Sequence, residues 1–416
     1  MSDTRPDDSK KKENLYVILA LQGGGALGAF QAGAYQALSE YGYEPDWVTG
    51  ISIGAINASI IAGNKTKEDR LKKLKEFWDL VAGDLDWWER IPNYSEKLTN
   101  IWRVSLSSIG GVSGFFRPNY IPAPFADPNS PEASSWYNTD NLKETLQKLV
   151  DFEFLNHQSK DHVRLSLGAT RVFGAESRTF QSFDSPHPVD PDNPDDKRVE
   201  IKVEHIMASG ALAPWFPGVW ISEDKASPED KASPKRRLYW DGGITSNSSF
   251  KLIMEHLPAV DETIGDKKVV IFVVDLWGAF EREPTTFDEV CWRIKQTQYS
   301  SRIEQDIRYA REYISSARLL PPTETSPPSG PSEKARLIDK ARRIDVVRVT
   351  YHSHPNEIPC GDALFSRTEI RRRLRDGYAA MLSRLETKPR PWKIEFDRLS
   401  EEHQRYKDAN VAIHLF

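Results

Sequence analysis

Two glycine-rich segments carry the residues with the clearest chemical use. In Gly50-Ile51-Ser52-Ile53-Gly54 a serine stands between glycines two residues to either side, and Gly23-Gly24-Gly25-Ala26-Leu27-Gly28 comes shortly before it. A serine hydroxyl is a useful nucleophile only when its oxygen stands clear of the backbone, beside a base, with amide N–H groups near enough to take up the charge of a tetrahedral intermediate. A sharp strand-to-helix turn exposes it, and such a turn needs glycines because a Cβ at either position would meet neighbouring chain. Trp47 to Thr49 fits the strand before Ser52 and Ala55 to Ala62 fits the helix after it, so the serine is expected at a helix N-terminus, where unpaired amides favour an oxyanion. The first cluster has the same setting. The β-branched and aromatic run Leu15 to Leu21 precedes it and Ala29 to Leu38 follows as a helix, which places the amides of Gly23, Gly24 and Gly25 as candidate oxyanion donors.

The serine needs a proton acceptor. None of the nine histidines has a distinctive context; His157, His162 and His187 lie in polar or Pro-rich stretches, and His352 and His354 flank a serine after a strand-like run. Asp241 is better placed, because Arg237 to Trp240 reads as a strand and Asp241-Gly242-Gly243 turns sharply at its end. Asp275, after the buried-strand pattern Val269 to Val274, is its rival. A second reading of the first glycine cluster is a dinucleotide site, since Gly23, Gly25 and Gly28 satisfy G-x-G-x-x-G and Asp46 lies at the distance of a ribose-binding acid. Asp46 precedes its strand, however, and is expected at the opposite edge of the sheet.

At these residues the chain resembles the patatin-like phospholipases, bacterial lipid acyl hydrolases among them. The glycine loop is similar to that family's oxyanion motif, Gly50 to Gly54 to its nucleophile elbow, Ala208-Ser209 to Pro217 to its Ala-Ser and Pro/Phe segment, and Asp241-Gly242-Gly243 to its acid. The resemblance implies a three-layer α/β/α fold over residues of about 15 to 275, a Ser52–Asp241 dyad without histidine, and hydrolysis of acyl esters of lipids. It implies no metal and no cofactor. Two departures bear on head-group preference: Leu27 stands where many members have arginine, and Ser249 stands where the family often has proline two places after an asparagine matched by Asn247.

The elements that must position these groups divide the 416 residues into three parts. Residues 1–13 read as a disordered polar tail, 14–280 as the acyl hydrolase domain, and 281–416 as a largely helical C-terminal extension. Within the domain, residues 77 to 125 are rich in Trp and Phe, with Gly110-Gly111 as a hinge, and read either as a lid offering apolar surface to an acyl chain or as ordinary core packing. Residues 185 to 198 read as a Pro/Asp loop, and Glu223 to Pro228 repeats at once as Glu229 to Pro234, a lengthened surface loop. In the extension, Phe287 to Leu319 has a helical pattern, Pro321 to Pro331 is a linker, Asp345 to Tyr351 fits a strand, and Ser366-x-x-Glu369 is a capping box. The helix it opens carries the apolar stripe Ile370, Leu374, Tyr378, Met381 and Leu385, flanked by arginines, a pattern shared by helices lying on anionic membranes and helices packed on their own domain. With 56 Lys and Arg against 61 Asp and Glu, the net charge of −5 gives no electrostatic case for nucleic acid. Two cysteines supply no disulfide framework, and no run has signal-peptide or membrane-span character, so the expectation is a cytoplasmic protein, with peripheral membrane contact left open and oligomeric state undetermined. A short-chain or hydroxyacyl esterase uses the same parts; a nucleotide-binding oxidoreductase and a non-catalytic lipid-binding scaffold are the readings from other classes.

Overall fold

The computed structural model describes residues 15–82, 110–121, 123–128, 130–157, 162–184, 197–223, 235–256, 264, 267–278, 283–319, 344–354 and 358–386. The N-terminal tail, Trp87, Trp88 and Trp102 of the aromatic stretch, His187, the duplicated hexapeptide beyond Glu223 and the linker at 321–331 lie outside these residues.

Ten strands are present among them: β1 (Leu15–Leu21), β2 (Trp47–Ile51), β3 (Arg117–Pro118), β4 (Tyr137–Asn138), β5 (Arg164–Arg171), β6 (Glu176–Gln181), β7 (Val219–Glu223), β8 (Lys235–Asp241), β9 (Lys268–Asp275) and β10 (Ile344–Thr350). Eight form one sheet in the order β10-β9-β1-β2-β5-β8-β7, with β6 also on β5; β3 and β4 make a separate ribbon. From β10 to β5 neighbouring strands are parallel, whereas β6, β7 and β8 run antiparallel to their neighbours. The parallel strands are apolar at nearly every position because helices cover both faces. In β1 and β9, Val17, Leu19, Val270 and Phe272 enter one core, while Ile18, Ala20, Ile271 and Val273 enter the other. The first core is covered by α1 (Ala29–Glu40), α2 (Ile53–Ala62), α3 (Lys67–Val81), α4 (Asp140–Leu149), α5 (Phe152–Asn156) and α6 (Val203–Ser209). The second is covered by α7 (Ser249–His256), through Phe250 and Ile253. These are the three layers expected.

The described residues after 281 are built into this arrangement. Strand β10 pairs along the whole of β9, α8 (Phe287–Leu319) sends Trp292 into the first core, and α9 (Arg367–Glu386) lies on α1. The boundary at 280/281 therefore marks a change of composition and no break in packing. The stripe on α9 is spent inside the protein, with Ile370, Leu374 and Met381 buried against the first core. Half of its capping box forms: Ser366 Oγ accepts the Glu369 amide at 3.4 Å, while the Glu369 carboxylate turns to Arg372. Of the described aromatic residues of the expected lid, Phe77, Trp78, Phe115 and Phe116 are buried in the core, whereas Tyr120 and Phe125 stand exposed.

Candidate active site

Strand β2 runs two residues further than its apolar pattern and ends at Ile51, so Ser52 makes the turn alone. It adopts φ 56 and ψ −125 as N-cap of α2, a conformation disfavoured for a residue with a side chain and kept only where the surroundings enforce it. The flanking glycines explain the enforcement: a Cβ at Gly50 would collide with the backbone of Gly54, and one at Gly54 with the Leu21 carbonyl. Ser209 at the end of α6 bolts the turn down. Its Oγ accepts the Ser52 amide at 3.0 Å and donates to the Gly168 carbonyl of β5 at 2.6 Å.

Asp241 reaches Ser52 by an arrangement that strand direction alone does not suggest. Both β2 and β8 lie along the edge of β5 opposite β6, β2 parallel and ending opposite Gly168, β8 antiparallel and ending opposite Ala169. The two strands meet head to head, and the residues at the junction are Ser52 and Asp241. Ser52 lies beside the Asp241 carboxylate, whose Oδ1 accepts the Gly243 amide at 2.7 Å. The carboxylate is 2% exposed. Loss of hydration pushes its pKa up to about 6, and the interactions with Ser52 and Gly243, which favour the charged form, oppose the rise.

The rival acids have other employment. Asp275 is fully buried, bound to Arg348 Nε at 3.0 Å and to the Trp277 amide at 3.0 Å. Asp46 accepts the Val17 amide at 2.7 Å where β1 and β2 begin, at the far edge of the sheet from Ser52. That removes the ribose-binding acid from the dinucleotide reading. Buried His205 takes the Lys202 amide on Nδ1 at 2.8 Å and packs on Phe180; burial lowers its pKa to about 4, so it is a neutral core residue.

Within the glycine loop the three candidate donors differ. Gly23 is clipped at both its polar atoms by the Asn247 side chain, its amide donating to Oδ1 at 3.0 Å and its carbonyl accepting from Nδ2 at 3.0 Å. The same carbonyl accepts Trp277 Nε1 at 2.8 Å. Gly23 is therefore a fixed anchor whose amide is taken, against the oxyanion role expected of it, whereas the amides of Gly24 and Gly25 have no hydrogen-bond acceptor among the described residues. Gly25 has φ 54, which glycine adopts without penalty. Residue types and local spacing gave no reason to single out Trp277, and Asn247 and Ser209 carried no visible role, because their partners lie far away in the chain. Among the described residues no group of three His, Cys, Asp or Glu side chains gathers as metal ligands do, and no helix is long and apolar enough to cross a membrane.

The sequence model for the patatin-like phospholipase family matches residues 19–253, more than half of the chain and all of the elements that meet at Ser52. The chain belongs to the patatin-like phospholipase family. A second model, described as patatin phospholipase, matches residues 296–397 and so covers β10 and α9 of this patatin-like chain. Among solved structures, the chain is similar to VipD from Legionella pneumophila, at 15% identity and a TM-score of 0.37 over 89% of this chain and 66% of that one. It is similar to human GIVD cytosolic phospholipase A2 at 11% identity and a TM-score of 0.40, over 90% of this chain and 59% of that one. A further similarity is to a chain of the ExoU-SpcU complex from the type III secretion system of Pseudomonas aeruginosa, at 17% identity and a TM-score of 0.24, over 71% of this chain and 52% of that one. The chain thus spans from about half to just under two thirds of the length of these solved chains. No curated protein matches it.

Proposed function

We propose that this chain is a serine acyl hydrolase that cleaves carboxylic esters of lipids through an acyl-enzyme on Ser52, with Asp241 as base. The observation that carries the reading is the meeting of Ser52 with the buried Asp241 carboxylate where β2 and β8 end on neighbouring residues of β5, in a setting that raises the carboxylate's pKa to about 6. Such a group is charged at neutral pH yet basic enough to share the hydroxyl proton in a transition state, which an ordinary aspartate near 4 does poorly. Ser52 Oγ attacks the ester carbonyl carbon as its proton passes to Asp241, and the negative oxygen is received by the amides of Gly24 and Gly25. Collapse expels the alcohol, which takes the proton from Asp241. Water then attacks the acyl-serine, gives a proton to Asp241, and the fatty acid leaves as that proton returns to Ser52.

A lipid substrate, in preference to a short-chain ester, is favoured by a rim of exposed aromatic side chains. Tyr120 is 92% exposed and Phe125 82%, with Trp136 and Trp215 about half exposed. Backbone bonds link Asn119 to Trp136 and Tyr137 to Trp215, and the segment carrying Trp215 is joined to the site where Asp241 N–H meets the Ala211 carbonyl at 2.9 Å. Large aromatic surfaces left in water beside a site suit an acyl chain or a lipid–water boundary.

Fluorophosphonate labelling and hydrolysis of a fatty-acyl ester, compared among parent, Ser52→Ala and Asp241→Asn, test the reading. Both activities should vanish in Ser52→Ala and fall by a factor of about 10³ or more in Asp241→Asn. Parental labelling in Ser52→Ala removes the nucleophile, and a preference for acetyl over long acyl esters removes the lipid.

A further inference from the structure

The oxyanion loop is not held by its own half of the chain alone. On one side it rests on the segment after β9, where Leu276 packs against Gly24 and Trp277 binds the Gly23 carbonyl. On the other side lies the short turn Gly361–Ala363, more than three hundred residues later in the sequence, and the contact is backbone against backbone. A Cβ built on Gly25 would collide with the Asp362 carbonyl oxygen, so the two main chains touch with nothing between them. Gly25 is thus confined twice, by a positive φ that only glycine adopts freely and by a neighbour that excludes any side chain.

That turn is clamped with unusual care. Arg373 of α9 is fully buried, and its guanidinium straddles the turn, donating to the Gly361 carbonyl at 2.9 Å and the Leu364 carbonyl at 3.0 Å. Burying a guanidinium costs several kcal/mol unless its donors are matched, so the cation earns its place only by fixing those carbonyls. The buried Glu369 carboxylate stands 3.9 Å from it. From the outside, Lys295 of α8 grips both oxygens of the Asp362 carboxylate, at 2.7 and 3.0 Å. Just beyond the turn, Phe365 packs at a tilt on Phe115 with ring centroids 5.5 Å apart, tying it to the first core.

We propose that the Gly361–Ala363 turn is a working part of the oxyanion site: it holds the Gly25 amide in its donor direction, with Arg373 and Lys295 as positioning residues. The inference rests on the acyl-hydrolase reading above and gives the C-terminal region a task in catalysis. An oxyanion donor acts only when it is fixed before charge develops, and removing one outright costs a factor of about 10² to 10³ in rate. Loosening one costs part of that. The effect falls on the charged transition state and leaves ester binding alone, so it belongs in kcat and not in KM.

The test uses the full-length protein and the variants Lys295→Met, Lys295→Arg, Asp362→Asn and Arg373→Lys, with Ser52→Ala alongside. Lys295→Met and Asp362→Asn break only a partly exposed ion pair, so they decide the question even where Arg373→Lys does not fold. Expected are a loss of about tenfold in kcat with KM unchanged, a parallel loss in affinity for an acyl trifluoromethyl ketone, which becomes an oxyanion when bound, and an acid limb that stays where the parent has it because Asp241 is untouched. Lys295→Arg, which keeps the pair, recovers most of the loss. Folded Lys295→Met and Asp362→Asn with parental kcat and ketone affinity overturn the proposal, as does a loss carried by KM. Should Ser52→Ala retain parental hydrolysis, the acyl-hydrolase reading itself falls; a dead Ser52→Ala beside parental brace variants sinks only the brace.

Discussion

At the scale of single residues, Asp241 in the proposed role of base faces two opposed demands. Its carboxylate would have to be dry enough to be basic, and dryness disfavours the charge that a base needs. Its folded pKa of about 6 lies above the ordinary 3.8, so the folded chain binds the proton more tightly than the unfolded chain does. The stability this brings is fully present below about 4 and is lost as pH rises through about 6; above that, the ionised group costs on the order of 3 kcal/mol. Two outcomes are expected. The hydrolysis rate at saturating and at low substrate should fall as pH drops through about 6, and a profile flat to pH 4.5 would remove Asp241 as base. Asp241→Asn should unfold at higher temperature than the parent at pH 8 and lose that advantage at pH 4, read by thermal scans at both; a variant less stable than the parent at pH 8 contradicts the burial cost. Ser52 and Asp241 were legible because glycine spacing announces a strained turn. Ser209 and Asn247 were not, since each acts on a backbone atom 157 or 224 residues away and nothing local marks the partner.

Among the elements, the crossing of α1 and α9 shows what helical patterning conveys and what it leaves out. The apolar stripe of α9 was visible in the sequence, but the helix that receives it was not. The receiving surface is made by glycines: a Cβ at Gly33 would collide with the Leu374 carbonyl, and one at Gly377 with the Phe30 carbonyl, so the two backbones cross in direct contact. At the ends of the crossing, Tyr378 donates to Glu40 at 2.6 Å and Tyr41 to Glu386 at 2.9 Å. On helix propensity alone Gly377→Ala would gain about 1 kcal/mol. The collision should reverse that sign and destabilise the chain by about 1–3 kcal/mol, the usual cost of overpacking, measured by the urea midpoint. A stabilised Gly377→Ala would mean that the helices stand further apart. The tandem seating of β2 and β8 on one edge of β5 is a second pairing of this kind: each strand was readable, and their meeting end to end was not.

For the molecule as a whole, the C-terminal region completes the sheet as well as touching the site. Strand β10 runs parallel to β9 along its full length, and Arg348 crosses between them to the buried Asp275 carboxylate. Removing the cation leaves a buried charge held by the Trp277 amide with no opposite charge beside it, which costs about 3–5 kcal/mol, whereas replacing both members by uncharged residues is close to neutral. Arg348→Met should therefore lower stability by about that amount at pH 7, and Arg348→Met with Asp275→Asn should recover most of it. Additive losses in that double-mutant cycle would show that the two groups do not depend on each other. The pairing also makes residues 344 to 386 part of one cooperative unit with the hydrolase core, because that core would otherwise expose the edge of β9 and the face of α1.

The sequence by itself determined the strand runs, the tight glycine turn at Ser52, the candidate acids and the family resemblance, because each is written in local periodicity or in glycines that only a sharp turn requires. Tertiary structure decided which amides of the glycine loop are available, which acid faces the serine, and that a late turn lies against Gly25. Those choices are contacts between backbone atoms hundreds of residues apart, and a backbone contact leaves no trace in side-chain pattern except a glycine whose reason is visible only when its neighbour is in place.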